Sequence, residues 1–275
     1  MHVDDMTHVL QFVAIVLTSG LAGAMNAIAG GGTLLTFPAL IGLGISPLVA
    51  NATSTVALWP GSVSSMWGYR DELTGSRRWA LGLAGPSLLG GGIGAWLLLR
   101  TPPSRFAVLV PWLVLGATAL FMLQPVVVRA IQGGRSSELD ESAPIPVATD
   151  HTATGSLPSA AVMCWQLIVG IYGGYFGAGA GILMLAALGF IGLTNIHRMN
   201  GLKNWGALCM NAVAAFTFAF TSLVNWPIAL TMAAGSIAGG YLGSRAAQRT
   251  QQRYVRRAVV AIGLGGGMWL LLHGH

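Results

Sequence analysis

Ten apolar runs separated by short polar breaks take up most of this chain, at residues 8–28, 32–45, 48–69, 79–99, 106–128, 159–177, 180–194, 199–223, 227–244 and 255–272. Runs of this length and number leave few options for folding. A soluble domain covers its core with charged side chains, about 25% of its residues, whereas only 8% of these 275 residues are charged and 54% are hydrophobic. Water cannot solvate such a surface, but lipid can. A helix needs about 20 apolar residues to span a bilayer, and Leu81 to Leu99 and Phe106 to Leu123 supply that. The chain reads as an all-α, multi-pass integral membrane protein.

The placement of charge adds orientation. All eight acids lie before residue 151, so residues 151–275 carry seven Lys or Arg and no acid, and no apolar run contains a carboxylate. There is no basic run with interleaved aromatics, so the high pI does not point to nucleic acid. The N-terminus carries Asp4 and Asp5 where a secretory signal would carry a cation, and the first run is expected to stay as a span. Cys164 and Cys209 lack CxxC spacing and read as small buried side chains.

The Ser-, Pro- and acid-rich stretch between the fifth and sixth runs is a solvated linker. It divides the chain into a first membrane unit (1–128), a polar linker (129–158) and a second membrane unit (159–275). The units repeat at an offset of 149: Ala29, Gly30, Gly32 and Leu34 meet Ala178, Gly179, Gly181 and Leu183, Asn51 meets Asn200, and Gly90, Gly91 and Gly94 meet Gly239, Gly240 and Gly243. Five segments per unit, an odd number, invert the second unit relative to the first. Cytoplasmic loops favour Lys and Arg. With the N- and C-termini outside and the linker cytoplasmic, twelve of the fourteen Lys and Arg fall inside, and only Arg100 and Arg105 fall outside. Eight crossings divide the same residues nine to five at best. The expected fold is two inverted five-segment repeats, each opening with a glycine-interrupted helix pair.

Those interruptions, NAIAGGGTLLTFPAL and FGAGAGILMLAAL, mark the expected site. A short piece of about 14 residues is about 21 Å long and falls short of a hydrocarbon core of about 30 Å. Broken backbone at membrane depth is tolerated only where it is buried in protein or lines a cavity. Glycine lets backbone approach a ligand and turn consecutive N–H groups toward one point, and a helix beginning there adds its positive dipole end. The amides of Gly30, Gly31, Gly32, Gly177, Gly179 and Gly181, with Asn26 and Thr33, are thus expected to bind a small anion. The alternative for each glycine is close helix packing, which is the reading for Gly90–Gly92, Gly239–Gly240 and Gly265–Gly267.

The next runs begin ANATSTVALW and MNGLKNWGAL. Asn51, Thr53, Ser54 and Thr55 put amide and hydroxyl groups in one helical turn, and Asn200, Lys203 and Asn204 take matching places. Asn51 and the threonines also suit helix N-caps. With no intramembrane carboxylate to pair it, Lys203 either meets a bound anion or snorkels to the interface beside Arg198. His197 is a candidate proton carrier, Trp59 and Trp205 either wall a cavity or pack, and His273 and His275 are too sparse for a metal site. No cofactor or metal is expected.

The run GLAGAMNAIAGGGTLLTFPALIGLGISPLVANATSTVAL, with its weaker echo GIYGGYFGAGAGILMLAALGFIGLTNIHRMNGLKNWGAL, resembles the two repeats of the TauE/SafE family of sulfite-exporter-like permeases. The echo departs from the family pattern at Ala180 and at Leu202–Lys203. The resemblance implies a bacterial inner-membrane carrier for sulfite, sulfonates or related organosulfur anions, working by alternating access, with proton coupling falling to His197, Lys203 or the substrate itself. An anion channel built on the same bends is the alternative. An intramembrane enzyme ranks last, because the apolar runs hold no carboxylate and no HExxH. The expected partners are a small anion and the bilayer; direction of transport and oligomeric state stay open.

Overall fold

The computed structural model describes residues 3–133, 157–190, 193, 195–247, 264, 265 and 268. Among these, every regular element is helical. In chain order they are α1 (Val3–Ile28), α2 (Thr33–Gly42), α3 (Pro47–Gly68), a 3₁₀ turn (Arg70–Leu73), α4 (Arg77–Arg100), α5 (Pro103–Gly133), α6 (Ala160–Tyr175), α7 (Ala180–Phe190), α8 (Ile196–Ala219) and α9 (Trp226–Ala247). Nine of the ten apolar runs therefore correspond to helices. Most of the tenth run and of the linker lie outside the described residues, as do His273 and His275.

Side chains are distributed as lipid requires. Phe12, Leu17, Leu21, Trp67, Leu89, Trp112, Phe216 and Phe220 are exposed, whereas Ser19, Thr36, Asn51, Thr53, Ser54, Ser87, Lys203 and Ser236 are buried. Large apolar side chains thus cover the outside, and these polar side chains sit inside among a buried apolar core. The helices Arg77–Arg100 and Pro103–Leu123 are long and apolar enough to cross a bilayer. By contrast, the 10 residues of α2 and the 11 of α7 reach only about 15 and 17 Å.

Small residues set the helix pairings. α1 packs along α9, and α4 along α6; α3 also lies on α9, and α4 on α8. A Cβ on Gly239 would run into the backbone of Gly20, and one on Gly91 into the backbone of Met210. The runs at Gly90–Gly92 and Gly239–Gly240 are thus packing surfaces, where missing side chains let backbones approach. Serines tie the same seams, with Ser236 Oγ donating to Ala57 O (2.7 Å) and Ser64 Oγ to Ile237 O (2.8 Å).

Two pairs of helix starts share one spacing in the two halves. α3 and α8 begin 149 residues apart, at Pro47 and Ile196, as do α4 and α9, at Arg77 and Trp226. At the bends the spacing is 147, since α1 ends at Ile28 and α6 at Tyr175. Counted from the helix end, Gly30 therefore corresponds to Gly177, two residues short of its sequence match Gly179, and all three hold a positive φ (75°, 82° and 79°).

Candidate functional site

The two bends touch. A Cβ on Gly30 would sit 2.7 Å from Gly181 Cα, and one on Gly181 would sit 2.8 Å from Gly30 Cα. Gly30 also holds a positive φ that only glycine adopts without strain. Beside this contact lies a cavity of about 40 Å³, room for about three waters or an ion of a few heavy atoms. Its wall includes Asn26, Gly30 and Thr33 from the first bend, Phe176, Gly177 and Gly181 from the second, Thr55, Leu58, Ser62 and Ser65 from α3, and Lys203, Asn204, Ala207, Met210 and Asn211 from α8. Lys203 is the one formally charged residue in this wall.

The first bend is organised by Asn26. Its Oδ1 accepts from the amides of Gly31 (3.0 Å) and Gly32 (2.6 Å), and the Gly30 amide donates to Met25 O (3.1 Å). In the second bend the Gly177 amide donates to Tyr172 O (3.2 Å) and the Tyr172 hydroxyl to Ala178 O (2.5 Å). These contacts correct the expectation that the first bend's glycine amides converge on a ligand: helix ends leave polar groups that seek the nearest partner, and an asparagine one turn back is nearer than the cavity. In the first bend, side chains are left as the donors that face the cavity.

Lys203 is the clearest of them. Only 1% exposed, it ends with Nζ donating to Asn26 O (3.2 Å) and Ala27 O (3.1 Å), while Asn204 Nδ2 also donates to Ala27 O (3.1 Å). A cation on the last carbonyls of α1 meets the negative end of the helix dipole. Nζ thus ends on backbone of α1 inside the protein and not at an exposed surface. Helix α8 starts at Ile196, so Lys203 lies about 10 Å along the axis, two turns from the end. An ammonium has three N–H donors, and two carbonyls leave one for the cavity that Lys203 lines.

Other predicted residues act as ties between helices and do not line the cavity. Asn51 Nδ2 donates to Tyr175 O (3.0 Å), which closes the end of α6 much as Lys203 closes α1. Thr53 Oγ1 accepts from the Asn225 amide (3.0 Å), and Ser54 Oγ lies 2.5 Å from Thr36 Oγ1. The N-cap reading of Asn51 and the threonines fails because α3 begins earlier, at Pro47; the residue that caps is Asn195, whose Oδ1 accepts from the His197 and Arg198 amides. Gly31, Gly32, Gly179, Asn200 and His197 do not line the cavity either. Trp59 packs on Phe216, with ring centroids 5.7 Å apart, and Trp205 Nε1 donates to Ala80 O (2.8 Å).

Ser62, Ser65 and Asn211 were not anticipated. A signal existed: residues 55, 58, 62 and 65 recur at helical spacing on one face of α3, and Ser62 and Asn211 stand 149 residues apart.

Comparison with known proteins adds a family. The model of the "Sulfite exporter TauE/SafE" family matches residues 15–270. Among curated relatives, the probable membrane transporter protein ORF9 of Sinorhizobium sp. is 25% identical, covering 98% of this chain and 94% of its own length. The probable membrane transporter protein YfcA of Escherichia coli K12 is 28% identical (97% and 90%), and a probable membrane transporter protein of Haemophilus influenzae is 26% identical (91% and 91%). No solved structure matches the chain.

Proposed function

The chain belongs to the sulfite exporter TauE/SafE family of membrane transporters, and from that premise we propose that it is a secondary carrier of a small sulfur oxyanion of the sulfite or sulfonate class. The observation that carries this reading is a buried cavity whose wall contains one cation, Lys203, and no carboxylate. An ammonium held by neutral carbonyls keeps its charge uncompensated, and an anion supplies the compensation. Thr33, Asn204, Asn211, Ser62 and Ser65 add hydroxyl and amide groups around it. Asn26 and the glycine bends hold the wall in place, while Asn51, Thr53 and Ser54 anchor the helices behind it.

Alternating access follows from reading the fold as two inverted repeats. Supporting this are the 149-residue spacing of two pairs of helix starts and the exchange of partners, in which the first helix of each half lies on the fourth helix of the other. Rocking one half against the other about the Gly30–Gly181 contact would open the cavity to one face at a time. The 3₁₀ turn Arg70–Leu73 lies against the start of α8, with Leu73 beside Gly201. That places Arg70 and Arg198 at one end of the molecule, which we read as cytoplasmic, with the termini on the opposite face of the bacterial inner membrane.

The test is counterflow in proteoliposomes containing the purified protein. Labelled sulfite should accumulate transiently against its gradient when the vesicles are preloaded with unlabelled sulfite. Flux without counterflow would indicate a channel, and no flux of sulfite, sulfonate or carboxylate would overturn the reading.

A further inference from the structure

The polar face of α3 does not stop at the cavity. Thr55, Ser62 and Ser65 line it, and the same spacing leads to Tyr69, one turn beyond Ser65, where α3 ends and the segment bearing Arg70, Arg77 and Arg78 begins. The Tyr69 amide donates to Ser65 O (3.2 Å), so the two residues are stacked on consecutive turns. Tyr69 is fully buried and Ser65 is 1% exposed, yet neither hydroxyl has a hydrogen-bond partner among the described residues. Two orphaned hydroxyls in succession are costly, because each gives up water without a replacement. Phenylalanine and alanine would fill the same space without that cost. At the corresponding place in the second half stands Phe218, equally buried and with no hydroxyl. Packing alone therefore accounts for a ring here but not for the phenolic oxygen.

We propose that the Ser65 and Tyr69 hydroxyls form a second station for the transported anion, between the Lys203 cavity and the arginine-bearing end of α3. This rests on the anion-carrier reading above. Each hydroxyl has a hydrogen to donate. An anion leaving Lys203 passes Ser65 and then Tyr69 before meeting Arg70, whose side chain is about half exposed. The ring of Tyr69 closes this end of the path while its hydroxyl recognises what passes.

The test uses full-length Tyr69→Phe and Ser65→Ala in proteoliposomes, with sulfite as the probe and melting temperature in detergent as the second readout. Hydrogen bonds to charged groups support an effect of about tenfold. The maximal rate of sulfite flux should fall about tenfold in each variant. In Tyr69→Phe, KM should stay within about twofold, because Tyr69 does not line the Lys203 cavity, whereas Ser65 does, so Ser65→Ala is read by its rate; the melting temperature should hold or rise in both, because an orphaned group is gone. Wild-type flux with undiminished rates in both variants would overturn the station alone. So would a fall in rate matched by a fall in melting temperature, since that marks a structural role. Absence of anion flux in the wild type would overturn the carrier reading and the station with it.

Discussion

Replacing Lys203 by Met separates the cost of burying a charge from the use made of it. Two effects on stability oppose each other. Asn26 O loses its donor from Nζ, while Ala27 O keeps the Asn204 amide. Orphaning one buried carbonyl costs about 1–3 kcal/mol. Against this, methionine removes an ammonium that is 1% exposed and has no carboxylate beside it, and exchanging buried charge for an apolar side chain of similar volume is often neutral or stabilising by about 1–4 kcal/mol. The unliganded melting temperature should therefore change by only a few degrees. Anion binding has no such compensation. A contact at about 4 Å in an effective dielectric of about 20 contributes about 4 kcal/mol, or roughly a thousandfold in affinity. Wild-type protein at a sulfite concentration of about one hundred times Kd should gain about 2.7 kcal/mol, seen as a rise in melting temperature that Lys203→Met abolishes along with flux. A variant that keeps both the sulfite-dependent stabilisation and the flux would refute the role given to Lys203.

Gly30→Ala forces a Cβ against Gly181 Cα at a positive φ, and it should abolish monodisperse protein in size-exclusion chromatography, whereas Gly42→Ala, which meets open space, should not. Asn26→Ala leaves the Gly31 and Gly32 amides without Oδ1 and should cost about 2–4 kcal/mol, read as a lower melting temperature. Asn211→Asp puts a carboxylate in the wall that holds Lys203; sulfite KM should rise at least about tenfold, with the change greater at neutral than at acid pH, because protonating the new carboxyl removes its repulsion. Thr53→Val removes the bond to the Asn225 amide and should lower stability by about 1 kcal/mol with sulfite KM unchanged, in keeping with an anchoring role outside the cavity.

Much of the architecture was legible in the residues because lipid imposes a simple rule on length and polarity. Nine apolar runs anticipate nine helices, with ends displaced by a few residues where a polar first turn, such as Ile196–Arg198, continues the helix beyond the apolar stretch. The bends were legible as well, since glycines at a break in a membrane run have few uses. What escaped was the partition of polar residues between tying and lining. Asn51 and Asn200 are matched by sequence offset, as are Thr55 and Asn204, yet Asn51 holds the end of α6, whereas Thr55 and Asn204 line the cavity and Asn204 also holds Ala27 O. Only the relative rotation of packed helices decides between these roles, and that depends on contacts distant in sequence. Asn26 shows the same limit: it reads as a ligand-facing amide until its capture of two neighbouring amides is seen. Ser62, Ser65 and Asn211 lie deeper than the polar first turns that mark α3 and α8 in the sequence, and only their helical spacing ties Ser62 and Ser65 to the same face.

Selenite, with the shape and charge of sulfite, carries a selenium atom that scatters anomalously. A crystal of the wild-type protein grown with selenite should give an anomalous peak within about 4 Å of Lys203 Nζ, an ion-pair distance, beside the contact of Gly30 with Gly181. A peak elsewhere, or none at a concentration that saturates flux, would contradict the central claim that these bends and this lysine enclose the transported anion.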